Sequence, residues 1–186
     1  RTNALVNKYG NVARSIYNTT TQNEIMTEFS KLKKEFISLL PEDNQKFISK
    51  FVQISYSSKT KVMDNKQKRR NTITKYAIYK IEEIYSEKNQ VEFDRTSATI
   101  EHIVPESSEK DKAFALNVGN LIILERNLNL ECDKFNFEEK ISVYKKSKYN
   151  SIQCFLEKYS NNKSFPIEER AKNMAKEIYN SIIGKW

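Results

Sequence analysis

The sequence predicts a mainly α-helical protein with a small β element, an α+β fold in which helices enclose a short pair of strands. Three observations predict it. Glycine and proline are scarce, at three of each in 186 residues; apolar residues recur at helical spacing over much of the chain; and a stretch after residue 91 is rich in β-branched residues instead. No apolar run approaches the roughly 18–20 residues that span a bilayer, so no membrane partner is expected.

The first helical signal lies near the N-terminus. Thr21 and Glu24 have the spacing of a capping box, in which each side chain accepts a bond from the other residue's backbone amide. An apolar stripe follows at helical spacing, and Pro41 ends it. The stripe consists of Ile25, Phe29, Leu32, Phe36 and Leu40.

Two further helices are predicted before residue 90. A stripe of Phe47, Phe51 and Ile54 indicates a helix through about Tyr56. Residues 57–70 are poor in apolar side chains and rich in lysine and arginine, which favours a loop or linker. The helix after it would place one set of residues on its inner side: Ile73, Tyr76, Ala77, Lys80, Ile81 and Ile84.

The strands are expected in the middle of the chain. Residues 98–105 read Ala-Thr-Ile-Glu-His-Ile-Val-Pro, and a β-branched run that ends in proline favours a strand. Residues 120–124, Asn-Leu-Ile-Ile-Leu, predict a second strand entered through Gly119. These strands would be held by packing against the helical parts through Ile100, Ile103, Leu121, Ile123, Leu128 and Phe137.

Two helices are expected after the strands, the first over about Phe137–Tyr149. The second begins at Pro166, a residue suited to the first turn of a helix. The organisation therefore has three parts, residues 1–90, 91–150 and 151–186, packed as one unit. The last helix has one apolar face, formed by Ile167, Ala171, Met174, Ala175, Ile178 and Ile182.

The charge balance favours a polyanionic partner. The net charge is +8 and the isoelectric point about 9.3, and basic residues bind phosphates with release of counterions. A genome whose base composition favours lysine codons would give the same excess of basic residues. Charge alone therefore favours a nucleic-acid partner no more than a solvated surface without a ligand. Cys132 and Cys154 form no Cys-x-x-Cys pair, which excludes a zinc knuckle and fits a cytoplasmic location. Because Arg1 opens the chain, we expect a piece of a longer protein.

One group of residues has the types that phosphodiester hydrolysis needs. That reaction uses a general base, for which histidine has a suitable pKa, and a cation held by oxygen ligands. His102 is the only histidine and ends the first predicted strand, directly after Glu101. Asn120 opens the second strand, and Asn129 follows nine positions later. A lone histidine is more often structural, so it is the neighbours that favour chemistry here.

This ordered set resembles the HNH, or ββα-metal, nuclease motif in a His-Asn-Asn form. Further matches narrow the resemblance to the C-terminal HNH domain of GmrSD-type restriction proteins, which occur in bacterial anti-phage systems. Such proteins usually carry an N-terminal ParB-like NTPase domain, and the resemblance implies that partner upstream. The matching residues are Thr99 to Pro105, Gly119-Asn120-Leu121, Asn129, Phe137 with Lys140, Tyr144 with Ser147, and Ile167-x-x-Arg170 near the final Trp186.

The resemblance implies a metal-dependent DNA endonuclease or nickase of the bacterial cytoplasm, with one Mg²⁺ or Mn²⁺ per site and no structural zinc. His102 would be the general base and Asn120 would orient it, while Glu101 and Asn129 would hold the metal. Taken singly, Asn120 could be a turn residue, Asn129 a helix N-cap and Glu101 a solvated strand residue. One site per chain makes nicking the default, and double-strand cleavage would need a homodimer or two successive nicks.

Two basic clusters are candidates for contacts with nucleic-acid phosphates. The first comprises Lys59, Lys61, Lys66, Lys68, Arg69 and Arg70, and the second Lys140, Lys145, Lys146 and Lys148. Lys134 is a separate candidate for a phosphate contact. Relatives often have Gln and Asn at the positions of Glu106 and Lys134; Glu106 could crowd the metal or face solvent. Three other functions remain open: a non-catalytic DNA-binding module, an RNase or toxin-like nuclease, and a structural helical adaptor.

Overall fold

The computed structural model describes residues 2–39, 43–58, 65–106, 112–132, 135–161 and 165–183. Within these ranges helices dominate and one antiparallel pair of strands forms the β element, which confirms the predicted fold class. In the same ranges, no helix has the length and apolar character needed to cross a membrane.

The elements follow one another in a simple order. Four helices come first: α1 (Thr2–Tyr17), α2 (Gln22–Leu39), α3 (Asn44–Phe51) and α4 (Asn65–Lys88). The hairpin region contains β1 (Ala98–His102), α5 (Lys112–Ala115), a 3-10 turn (Val118–Asn120) and β2 (Leu121–Glu125). Four helices follow β2 in the described residues: α6 (Arg126–Cys132), α7 (Phe137–Tyr144), α8 (Asn150–Tyr159) and α9 (Ile167–Ile183).

The predicted capping box at the start of α2 is confirmed. The Thr21 amide donates to Glu24 Oε2 at 3.1 Å, and the Glu24 amide donates to Thr21 Oγ1 at 3.3 Å. The predicted end of this helix at Pro41 lies outside the described residues.

The helix expected through Tyr56 is shorter than predicted. α3 ends at Phe51, because the chain beyond it becomes extended and pairs with the segment before β2. The Tyr56 amide donates to the Leu116 carbonyl at 2.9 Å, and Ser55 forms an isolated bridge with Asn117. We call residues 55–58 the strap, since they lie across the end of β1.

α4 begins earlier than the sequence predicted, at Asn65, so the end of the expected loop is helical. Its inner face also differs. Ile73 and Tyr76 are exposed, at 55% and 65%, whereas the predicted Ala77, Ile81 and Ile84 are buried. The complete buried set is Thr74, Ala77, Ile78, Ile81, Glu82, Ile84 and Ser86.

The single helix expected over Phe137–Tyr149 is also corrected. α7 ends at Tyr144 and a separate helix, α8, begins at Asn150. Buried Glu82 of α4 explains the new start, because its carboxylate accepts the amides of Asn150 at 2.9 Å and Ser151 at 2.8 Å. A carboxylate on the first amides of a helix satisfies donors that have no partner inside the helix.

The strands pair antiparallel, with Ile100 opposite Ile123 and His102 opposite Leu121. One buried cluster runs from Ile48 to Ile178, so the hairpin and the helical parts share a core, and the division into three parts stays a prediction. Of the expected packing residues, Ile100 and Phe137 are partly buried. The others, Ile103, Leu121, Ile123 and Leu128, are buried.

α9 closes the core over the turn that leads into β2. Its predicted apolar face is confirmed by the burial of Ala171, Met174, Ala175 and Ile178. Gly119 allows the close approach, since a Cβ there would lie 2.0 Å from the Ile167 carbonyl oxygen. Both cysteines are free thiols.

Candidate active site

His102 lies at the C-terminal end of β1 and is buried, at 7% exposed. Its Nε2 is 3.3 Å from the Tyr56 carbonyl oxygen in the strap. A carbonyl oxygen only accepts hydrogen bonds, so Nε2 carries the hydrogen and the neutral ring has its lone pair on Nδ1. Burial is the largest influence on the pKa of His102 and lowers it, although the Tyr56 carbonyl and the Glu106 charge oppose the shift. His102 is therefore neutral at neutral pH.

Glu106 fixes the strap that holds His102. Its carboxylate accepts the Ser57 hydroxyl at 2.6 Å, and the Ser58 hydroxyl and amide at 2.6 and 3.0 Å. Burial raises the pKa of Glu106, but these three hydrogen bonds outweigh burial and lower it overall. The carboxylate thus binds the strap, which neither of the two expectations for Glu106 described.

α4 holds the other side of the strap. Asn71 makes a reciprocal pair with Ser57, accepting its amide at 3.1 Å and donating to its carbonyl at 2.9 Å. Thr74 Oγ1 donates to the Ser55 carbonyl at 2.8 Å. The carbonyl that orients His102 is therefore anchored to α4 on one side and to Glu106 on the other.

Asn120 is fully buried and fixes the chain that leaves β1. Its Oδ1 accepts the Val104 amide, and its Nδ2 donates to the carbonyls of Val104 and Ala115, each at 2.8 Å. Its own carbonyl accepts the Ile103 amide at 2.9 Å. These bonds are more than a turn residue needs, and they fix the two residues that follow His102; a positioning role for Asn120 stays a prediction.

Arg170 of α9 holds Asn120 in turn. Its Nη1 donates to the carbonyls of Gly119 and Leu121, the two neighbours of Asn120, at 2.7 Å each. Burial lowers the pKa of Arg170 to about 10, so the guanidinium stays charged at neutral pH. Sequence reasoning did not predict this contact, although position 170 directly precedes buried Ala171 on the apolar side of α9.

Glu101 and Asn129 reach the same side of β1. Asn129 lies inside α6, where its Nδ2 donates to Thr99 Oγ1 at 2.9 Å and to the Ile100 carbonyl at 3.1 Å. Strand residues alternate sides, so Thr99 and Glu101 share one side of β1 and His102 takes the other. Asn129 is thus no helix N-cap, and Glu101, at 6% exposed, is no solvated strand residue. The residues of the expected site therefore lie on both sides of the end of β1, with His102 on one side and Glu101 and Asn129 on the other.

The donor types fit a hard divalent ion. A carboxylate and an amide oxygen suit Mg²⁺ or Mn²⁺, and the described part of the chain offers no hydrogen bond to Asn129 Oδ1. The same part has no group of three or more His, Cys, Asp or Glu side chains that could hold a metal. An ion held by Glu101 and Asn129 would therefore rely on water and phosphate for its remaining ligands, as Mg²⁺ commonly does.

The structure corrects the placement of Lys140. We expected it on a surface open to nucleic acid, but it is 2% exposed and its Nζ lies 2.5 Å from Glu101 Oε1 and 2.6 Å from the His102 carbonyl oxygen. A buried ammonium bound in this way cannot reach a phosphate. The spacing of Phe137, Lys140 and Tyr144, which places them on one side of a helix, was the available signal.

The other predicted basic residues lie in two places. Lys145, Lys146 and Lys148 are exposed in the turn between α7 and α8, where Lys146 pairs with Glu131 at 2.5 Å. The exposed Lys66, Lys68, Arg69 and Arg70 occupy the first turns of α4. Lys59, Lys61 and Lys134 lie outside the described residues.

Comparison with known proteins identifies a family for this chain. A family model described as "GmrSD restriction endonucleases, C-terminal domain" matches residues 52–177, which include the strap, both strands and every candidate site residue. No curated protein and no solved structure matches the chain. The match covers well over half of the chain and confirms the resemblance drawn from the sequence. The chain therefore belongs to the family of C-terminal domains of GmrSD restriction endonucleases, a nuclease family that acts on DNA.

Proposed function

We propose that this chain is an HNH-type endonuclease domain that hydrolyses DNA phosphodiester bonds with Mg²⁺ or Mn²⁺. The observation that carries the proposal is the contact between His102 Nε2 and the Tyr56 carbonyl, because it leaves Nδ1 as the basic nitrogen of a neutral ring. A general base needs that protonation state, and a surface or purely structural histidine does not.

The residues around His102 support this role. The strap fixes the ring through Nε2, and Asn120 fixes the backbone that leaves β1, so Nδ1 has a defined direction in which to take a proton from water. Glu101 and Asn129 would hold the divalent ion, which when bound offsets negative charge on the phosphate and the leaving oxygen.

Nucleic acid would contact the exposed basic residues. Lys68, Arg69 and Arg70 directly precede Asn71, which binds the strap, and the strap holds His102. Phosphates on the first turns of α4 would therefore lie against the element that orients the base. Lys145, Lys146 and Lys148 form a second exposed group directly after α7, the helix that carries Lys140.

The wider setting follows from the family. We propose a cytoplasmic role as the effector domain of a bacterial anti-phage or modification-dependent restriction protein, joined to an N-terminal ParB-like NTPase domain. One site per chain would nick DNA, and double-strand cleavage would require a homodimer or two nicks.

The test is incubation of the purified chain with supercoiled plasmid in Mg²⁺, Mn²⁺ or EDTA. We expect metal-dependent open-circular DNA from the native chain and none from His102→Ala or Asn129→Ala. Lys172→Ala, an exposed position on α9, is the control for the handling of variants.

Other outcomes separate the competing functions. Plasmid binding without cleavage in any metal would favour a non-catalytic DNA-binding module, and cleavage of RNA but not DNA would favour an RNase. Equal cleavage by His102→Ala would refute the assignment of the general base.

A further inference from the structure

The Lys140 ammonium is buried between α7 and the end of β1, bonded to Glu101 Oε1 and to the His102 carbonyl. We propose that Lys140 is the resident counter-cation of Glu101, and that a divalent ion reaches this carboxylate only in competition with the Lys140 ammonium. The inference rests on the proposed function, because it takes Glu101 as a metal ligand.

Glu101 needs a cation even when no metal is bound. It is 6% exposed, and a buried carboxylate without a partner is strongly destabilising. Two nearby groups on α6 and α7 supply no charge. Burial, aided by the charge of Glu101, raises the pKa of the Cys132 thiol to about 12 and raises that of the Tyr144 hydroxyl, so both stay neutral. Lys140 supplies a positive partner, since its ammonium forms an ion pair with the Glu101 carboxylate at 2.5 Å.

The same ammonium opposes a second cation. A divalent ion on Glu101 would share the carboxylate with Lys140, and like charges repel more strongly in a buried setting than in water. Lys140 is also held by the His102 carbonyl, so it does not leave freely. The affinity of the native site for a divalent ion is therefore lower than its carboxylate and amide oxygens alone would give.

The experiment measures Mn²⁺ binding by titration calorimetry in the absence of nucleic acid. Lys140→Met keeps the length of the side chain and removes its charge, and we expect it to bind Mn²⁺ at least about tenfold more tightly than the native chain. Lys140→Arg keeps the charge and should stay near the native affinity, as should Lys172→Met, the exposed control on α9. Adding Glu101→Gln to Lys140→Met should abolish the gain.

Thermal melting keeps the inference testable if Lys140→Met folds poorly. Without its counter-cation Glu101 should destabilise this variant, and Mn²⁺ should restore its melting temperature by more than it raises that of the native chain. Lys140→Met that binds Mn²⁺ no more tightly than the native chain, or that stays unfolded at saturating Mn²⁺, would overturn the inference.

The two proposals fail in different ways. If the native chain nicks plasmid with Mn²⁺ and Lys140→Met shows no gain in affinity, the competition is wrong and the nuclease stands. If Glu101→Gln leaves Mn²⁺ binding unchanged in the native background and in Lys140→Met, the metal site of the proposed function is wrong as well.

Discussion

Replacing Asn120 by alanine tests whether the chain beyond β1 keeps His102 in place. The change removes three hydrogen bonds of 2.8 Å and leaves two groups of Val104 and the Ala115 carbonyl without these partners. An unsatisfied buried group costs about 1–3 kcal/mol. Val104 is half-buried, so water can satisfy part of the loss, whereas Ala115 is fully buried. We expect the free energy of unfolding in urea to fall by about 3 kcal/mol.

The second measurement separates positioning from stability. His102 is the only histidine, so its ring nitrogen signals in NMR are assigned without ambiguity. In Asn120→Ala we expect these signals to lose the pattern of a single Nε2–H tautomer. Met174→Ala is the matched control, since truncating this buried methionine of α9 costs about 2–5 kcal/mol but removes no hydrogen bond of His102 or Asn120, and it should leave the His102 signals unchanged. A stability loss below about 1 kcal/mol, or unchanged His102 signals in Asn120→Ala, would refute the reasoning.

Four further results are expected. Because burial lowers the pKa of His102, its NMR titration should have a midpoint below the ordinary value of about 6.5. As the pH is lowered from about 6.5 to that midpoint, the free energy of unfolding should decrease, because the unfolded chain takes up the proton first. His102→Gln should lose this pH dependence. Gly119→Ala should lower the melting temperature sharply, at a cost of about 3 kcal/mol, because its Cβ would strike the backbone of α9, and a native melting curve would contradict that packing. Tyr144→Phe should raise the free energy of unfolding by about 1 kcal/mol, because the Tyr144 hydroxyl is buried without a hydrogen-bond partner among the described residues. If urea denaturation instead shows a lower free energy of unfolding, the hydroxyl has a partner. The exposed basic group on α4 consists of Lys68, Arg69 and Arg70. Neutralising it should weaken DNA binding and reduce the slope of log affinity against log salt concentration by about one per phosphate contact. Salt titrations that match those of the native chain would show that α4 does not contact DNA.

Local signals predicted the parts of the fold that depend on neighbours in sequence. The capping box of Thr21 and Glu24 and the apolar face of α9 both depend on residues within one or two turns of a helix, and the structure has both. The end of α3 could not be predicted in this way, because Ser55 and Tyr56 pair with residues more than fifty positions later. α8 was missed for the same reason, since its start depends on Glu82.

In the candidate site too, the residues close in sequence were predicted and their partners from distant segments were not. The set Glu101, His102, Asn120 and Asn129 could be identified from the sequence because strands and short connections fix the spacing between its members. Their partners come from distant segments: Tyr56 and Ser57 for the His102 side, and Lys140 for Glu101. Lys140 was expected to contact phosphates, and its burial depends on Glu101, a partner that the local sequence did not identify.

The atom that accepts the His102 hydrogen bond belongs to the main chain of Tyr56, while the Tyr56 ring packs against the imidazole with ring centroids 5.8 Å apart. Alanine at position 56 would remove the ring contact and leave the hydrogen-bond acceptor in place, because every substitution there keeps the carbonyl. Natural variation can change the side chain at position 56 while the backbone keeps the carbonyl that binds His102 Nε2. Substitutions that damage the site from here should be those that redirect the backbone, such as proline at Ser57, whose amide bonds to Asn71. Sensitivity to mutation in this segment would then follow changes in conformation more closely than changes in side-chain chemistry.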